Sequence, residues 1–209
     1  MAKAARSASN IRQKRSAAKP DWASLRLRDR IEPGVRVLFV GINPGVRSAV
    51  TGHHFAGYSN RFWKLLWDAA LVPEQMTYLD DGRLPEWGYG ITNLVARPSP
   101  GIDVLRPAEY VDGWRTLARK IRRYRPEVVV FIGVTLYRAI LRLARAREAP
   151  ASERVRRSGR SSVLGLQPLT IHGARVFVLP NPSGRNANFS YAEMRSAYRG
   201  LKRYLGAND

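Results

Sequence analysis

The sequence predicts an α/β fold: a three-layer α/β/α sandwich with a mainly parallel central sheet. Three observations carry that expectation. Two runs of mostly β-branched and aromatic residues, Val35 to Val40 with Arg36 as the one charged member and Val128 to Ile132, each stop at a glycine, as strands covered on both faces do. Segments with helical spacing fill the gaps between the strand-like runs. The composition, 44% hydrophobic and 25% charged over 209 residues, is that of one folded domain with a short tail.

Taken in order, residues 1–30 read as a flexible basic arm. Residues 1 to 20 hold six basic side chains and no acidic one among Ala and Ser, and cannot bury enough apolar area to order themselves. An organellar transit peptide shares this composition, but Ile11 is the sole large aliphatic after Met1, which favours the arm. Residues 31–209 read as the domain. Its first strand is Val35 to Val40; Gly90 to Val95 is a weaker strand, and Arg175 to Leu179, ending at Pro180, is another. Phe62, Leu65, Leu66 and Ala69 share a helical face, as do Tyr110, Trp114, Leu117, Ala118 and Ile121 behind Pro107. A further helix follows Thr135 with Tyr137, Ile140, Leu141 and Ala144, and a last one opens on the capping box Ser190 to Glu193. Asp80, Asp81 and Glu86 fall in a turn-like stretch and read as solvated. Residues 148–162, rich in Arg and Ser, read as an exposed insertion.

Charge and residue counts exclude several functions. Lys and Arg outnumber Asp and Glu 36 to 16, a formal balance of +20 that asks for a polyanionic partner, and nucleic acid is the commonest. The arginine-rich stretch Arg115 to Arg125 spreads its charges over more than one face, so a solvated helix back and a DNA contact both fit it. With no cysteine there is no thiolate metal site or iron–sulfur cluster, and three histidines do not make a convincing metal set. No cofactor or metal is therefore expected. The apolar runs are too short for a membrane span, so no membrane partner is expected either.

In open α/β sheets the working loops leave the carboxyl ends of strands. Gly41-Ile-Asn-Pro-Gly45 and Asn181-Pro-Ser-Gly-Arg185 occupy that position, and neither has the glycine and lysine spacing of a nucleotide-phosphate loop. Each by itself is consistent with simple turn chemistry. Together with Gly52 to Gly57, Asn60 to Lys64, Ile91 to Arg97, Gly165 to Pro168 and Leu179 to Gly184, in order over residues 31 to 205, they resemble the mismatch-specific uracil/thymine-DNA glycosylases of the uracil-DNA glycosylase superfamily.

The resemblance implies a monofunctional enzyme that hydrolyses the N-glycosidic bond of uracil, with thymine or other damaged bases in its range, in mispaired DNA. It implies that Asn43 positions the attacking water, that the backbone at Ile42 and Phe55 faces the leaving base, and that the Phe55 ring stacks on it. Asn93 would read the base edge, and His54 would touch base or phosphate. Asn181, Ser183, Gly184 and Arg185 would grip DNA, with Arg185 at the plug position. Relatives carry an apolar wedge there, or an arginine two residues later, where this chain has Ala187. The partner implied is double-stranded DNA holding a mispaired or damaged base, bound by a monomer in a nucleoid-containing cytoplasm if the source is bacterial. A non-catalytic DNA-binding module that keeps the fold, and a basic α/β protein acting on RNA, are the rival readings.

Overall fold

The structure is a computed structural model that describes residues 21–148 and 163–207, with the side chains of 145–148 excepted. Residues 1–20 of the expected arm and 149–162 of the expected insertion lie outside the described residues. Five strands form one sheet: β1 (Val37–Gly41), β2 (Tyr89–Asn93), β3 (Val128–Ile132), β4 (Gly165–Ile171) and β5 (Ala174–Leu179). Their order is β2-β1-β3-β5-β4, parallel throughout except for β4, which runs antiparallel along β5.

Every residue of β1 and β3 is buried because both sheet faces are covered. Alternation along the strand divides the core in two. Val37, Phe39, Val128 and Val130 pack against α2 (Phe62–Asp68) and α5 (Tyr191–Gly206), through Phe62, Leu66, Met194 and Tyr198. Leu38, Val40, Val129 and Phe131 face the other way, against α3 (Pro107–Tyr124) and α4 (Val134–Glu148), through Trp114, Leu117, Ile121 and Ile140. The three expected layers are present. No helix among the described residues is long and apolar enough to cross a membrane.

Four features differ from the sequence expectation. β4 went unrecognised because Pro168 interrupts it and only Gln167 and Ile171 are buried, both marks of an edge strand. It joins β5 through His172 and Gly173, both at positive φ, in the two-residue turn that suits the twist of a hairpin. The short helix α1 (Val46–Thr51) is too brief for a periodic signal. Residues Tyr78–Trp87, expected to be a solvated turn, form a 3₁₀ helix opened by a Thr77–Asp80 capping box, and within it Asp81 is fully buried, a correction that matters below.

The domain also begins earlier than residue 31. Arg30 exchanges backbone hydrogen bonds with Ile91 on the outer edge of β2. Asp29 accepts from the Thr92 hydroxyl at 2.6 Å and pairs with Lys120 at 2.6 Å, while the carbonyl of Arg28 faces His54. Residues 28 to 30, expected on the arm, are therefore tied into the sheet. Lys120 serves that junction, whereas Arg115, Arg119, Arg122, Arg123 and Arg125 lie exposed.

Candidate active site

The carboxyl ends of β1, β2, β3 and β5 open into a cleft of about 510 Å³. Its wall holds Ile42 and Asn43 from the turn after β1, His54 and Phe55 from the loop after α1, Asn93 from the end of β2, and Asn181, Ser183 and Arg185 from the loop after β5. The two glycine-containing loops of the sequence thus converge. Gly184 is not part of the wall: its Cα abuts Ser59, where a β-carbon would lie 2.8 Å from the Ser59 carbonyl oxygen. None of the described residues lining the cleft is acidic.

The orientation of the Asn43 amide follows from its neighbours. The Ser99 hydroxyl donates its one proton to the Gly101 carbonyl at 2.5 Å, so its oxygen must accept from whatever else approaches. The group that approaches, at 2.7 Å, is the Asn43 Nδ2, which also meets the carbonyls of Pro44 at 3.0 Å and Arg97 at 3.4 Å. Three acceptors around one nitrogen anchor the NH₂ end. Asn43 Oδ1 has no donor among the described residues and is left available to a water. Arg97, whose carbonyl helps, is held by a two-pronged pair with Glu109 at 2.7 and 2.9 Å. The Arg97 guanidinium, followed by the Arg106 backbone N–H, holds the Glu109 carboxyl down at about 2.

Asn93 is anchored in a similar way. His54 is 1% exposed, and its Nε2 lies 3.0 Å from the Arg28 carbonyl, which only accepts. Burial lowers the His54 pKa, so the ring is neutral with its proton on Nε2 and a lone pair on Nδ1. That lone pair faces Asn93 Nδ2 at 3.4 Å. Among the described residues one Asn93 N–H and its Oδ1 stay available, a donor and an acceptor that match a pyrimidine edge. Both nitrogens of His54 are thus engaged within the protein. It lines the cleft beside Asn93, where the resemblance implied a contact to base or phosphate. Gly41 makes room for this amide: a β-carbon there would lie 2.7 Å from Asn93 Oδ1 and 3.4 Å from the Phe55 ring.

Phe55 is half-buried, with φ of 51°, a left-handed conformation that a bulky residue seldom adopts. Its flanks explain why it persists. The His54 backbone N–H donates to Asp81 Oδ2 at 2.9 Å, the His54 carbonyl accepts from the Trp63 indole at 3.1 Å, and the Ala56 N–H donates to Ser48 Oγ at 3.1 Å. The ring stacks on Phe62 at 4.3 Å between centroids, which fixes the orientation of one face. The backbone N–H groups of Ile42 and Phe55 have no acceptor among the described residues.

The rim is cationic and aromatic. Arg47 lies 3.8 Å over the ring of Tyr58, which is 91% exposed, and its Nε donates to the Ala56 carbonyl at 2.6 Å. Opposite, Asn181 Oδ1 accepts from the Ser183 N–H at 3.0 Å, the Pro182 carbonyl accepts from the Arg61 N–H at 3.0 Å, and Arg185 reaches the Pro100 carbonyl at 3.5 Å. Sequence reasoning missed Ser99, Arg47, Tyr58 and Asp81. Ser99 lies just past the Ile91 to Arg97 segment and Tyr58 just past Gly52 to Gly57, so proximity to those segments was their available signal. The Thr77–Asp80 capping box was the signal for the helix that carries Asp81. No group of metal-ligating side chains occurs among the described residues.

Comparison with known proteins places the chain among relatives. A profile described as the uracil DNA glycosylase superfamily matches residues 29–202. Over 156 residues, 73% of the chain, the sequence is 41% identical to a protein of Schizosaccharomyces pombe named G/U mismatch-specific uracil DNA glycosylase. The match takes in 45% of that relative, so the chain spans under half its length.

Two stability measurements test the framework. Replacing Asp81 by Ala should lower the unfolding free energy in urea by about 3 kcal/mol, the low end for breaking a buried pair, because Arg30 keeps access to water. Glu109→Gln should cost stability at neutral pH. Since the folded Glu109 pKa is depressed to about 2, the wild-type advantage over Glu109→Gln should be full above the ordinary value near 4.3 and vanish as pH falls toward 2. A difference between the two denaturation curves that does not vary with pH would contradict the pairing.

Proposed function

The chain belongs to the uracil DNA glycosylase superfamily, and from that membership we propose that it is a monofunctional DNA glycosylase, acting as a monomer, that removes uracil mispaired with guanine. The observation that carries the reading is the Asn43 amide oxygen left available in an acid-free cleft that also holds the Phe55 ring.

The reaction breaks the bond between C1′ and the base nitrogen and forms a bond from a water oxygen to C1′. The bonding pair leaves with the base, and a water proton is lost to solvent or to the departed base. Because an amide has no useful basicity, the rate forgoes a general-base contribution of about 10²–10⁴-fold. Asn43 Oδ1 instead accepts a hydrogen bond from water and aims its lone pair at C1′, an effect of alignment. Negative charge growing on the base meets the free N–H groups of Ile42 and Phe55, donors already in place before reaction. Asn93 reads the edge, and Phe55 offers the ring face not covered by Phe62. This apparatus suits a good leaving group such as uracil and spares ordinary bases.

Arg47, Tyr58, Ser183 and Arg185 surround the mouth through which a nucleotide must be extruded. Asn181 shapes the Ser183 turn, and Gly184 permits the loop to sit against Ser59. Arg185 fills the space in the stack that the extruded base vacates.

The test uses duplexes carrying one uracil opposite guanine, scored by free uracil and by alkali-labile strands. Wild type should release uracil and leave the strand intact until alkali is added. Asn43→Ala should slow single-turnover release by about 10²-fold or more while DNA affinity is kept, the loss expected when a reactant is mispositioned. Unchanged turnover would remove Asn43 from the mechanism, and tight binding without abasic sites would favour a non-catalytic DNA-binding module.

A further inference from the structure

At the opposite end of the sheet lies a second pocket of about 460 Å³, between α3, α4 and the β4–β5 turn. Arg115, Arg119 and Arg122 enter it at spacings of four and three residues, which places them along one face of α3. Thr170 and His172 border it from the turn. No described residue lining this pocket is acidic. Arg115 is the one arginine of the three with an acidic partner among the described residues, Asp112 at 3.0 Å, and that pair is exposed and weak. Arg119 donates to the neutral Thr116 hydroxyl at 3.0 Å, and Arg122 meets no acidic side chain among the described residues. The wall also contains Trp114, whose indole N–H is buried without an acceptor among the described residues.

We propose that this pocket is a second phosphate-binding site, which takes the phosphodiester backbone of a nucleic-acid segment other than the one entering the cleft. Guanidinium groups present planar forks of donors that match phosphate oxygens, and two of the three have no competing carboxylate. Location separates this site from the cleft. Thr170 to His172 lie at the amino end of the six-residue strand β5 and the cleft at its carboxyl end, five steps or roughly 17 Å apart at about 3.3 Å per step. The pocket and the cleft therefore open at opposite ends of the sheet. A second segment, or a distant part of the same molecule, reaches it.

The site is independent of the glycosylase reading, and the test uses undamaged DNA. In the full chain, the indole N–H resonance of Trp114 is identified among the five tryptophans as the signal lost in Trp114→Phe. It is then followed by NMR during titration with a short undamaged duplex and, separately, with pyrophosphate. Three proteins are compared: wild type, the R119Q/R122Q double variant, and R199Q/R203Q, which removes the same charge from α5 on the other face of the sheet. The duplex should move the signal in wild type and in R199Q/R203Q but not in R119Q/R122Q. With two phosphate contacts at stake, the affinity gap between wild type and R119Q/R122Q should narrow about tenfold from 50 to 200 mM salt. No movement with duplex, movement retained in R119Q/R122Q, or equal weakening in both double variants would overturn the proposal. Movement with pyrophosphate but not with duplex would overturn the backbone assignment and leave a site for small phosphate esters.

Discussion

A single buried carboxylate, Asp81, organises one side of the cleft. At 0% exposure its desolvation would cost several kcal/mol if unanswered. It is answered by Arg30 Nε at 3.0 Å, His53 Nδ1 at 3.0 Å and the His54 backbone N–H at 2.9 Å. These donors come from the segment ahead of β1 and from the loop after α1. One side chain therefore binds the amino-terminal segment to the loop that carries Phe55, and lets a phenylalanine persist at positive φ next to Gly41. The requirement runs both ways, because without those donors Asp81 would not remain buried in its 3₁₀ helix.

The rest of the site repeats one device. Asn43 and Asn93 each have the NH₂ end of the amide bonded to the protein, through Ser99 and backbone carbonyls in one case and His54 in the other. Anchoring one end of an amide decides where the other end points. The cost of ordering these groups falls on folding instead of on the reaction, which is how neutral residues contribute without acid–base chemistry. The neutral state of His54, imposed by burial, belongs to the same arrangement: a proton on Nδ1 would confront the Asn93 NH₂ with another donor.

Much of this was readable in the sequence, and the parts that were not have a common cause. β1 and β3 announce themselves as continuous apolar runs, and α3 and α5 by spacing and caps. Asn43, Phe55 and Asn93, which line one cleft, all lie within the motif segments that the sequence displays. β4 escaped because an edge strand with a proline carries half the usual signal. Ser99 and Asp81 escaped because their partners are 56 and 27 residues away in the chain, so no local pattern records the contact. Asp81 was misread as solvated, since a carboxylate in a short 3₁₀ helix looks like any polar turn until its donors arrive from elsewhere. The adjacency of His54 to Phe55 is visible in sequence, whereas its hydrogen bond to the Arg28 carbonyl is not.

The most direct measurement is a crystal structure of the protein with a duplex in which deoxyuridine opposite guanine carries a 2′-fluorine, a substituent that disfavours positive charge at C1′ and so arrests cleavage. The uracil should lie stacked on the Phe55 ring with its edge on Asn93, and a water should be bonded to Asn43 Oδ1 about 3–3.5 Å from C1′. An extruded base lodged elsewhere, or an Asn43 amide turned so that its nitrogen faces the sugar, would contradict this mechanism.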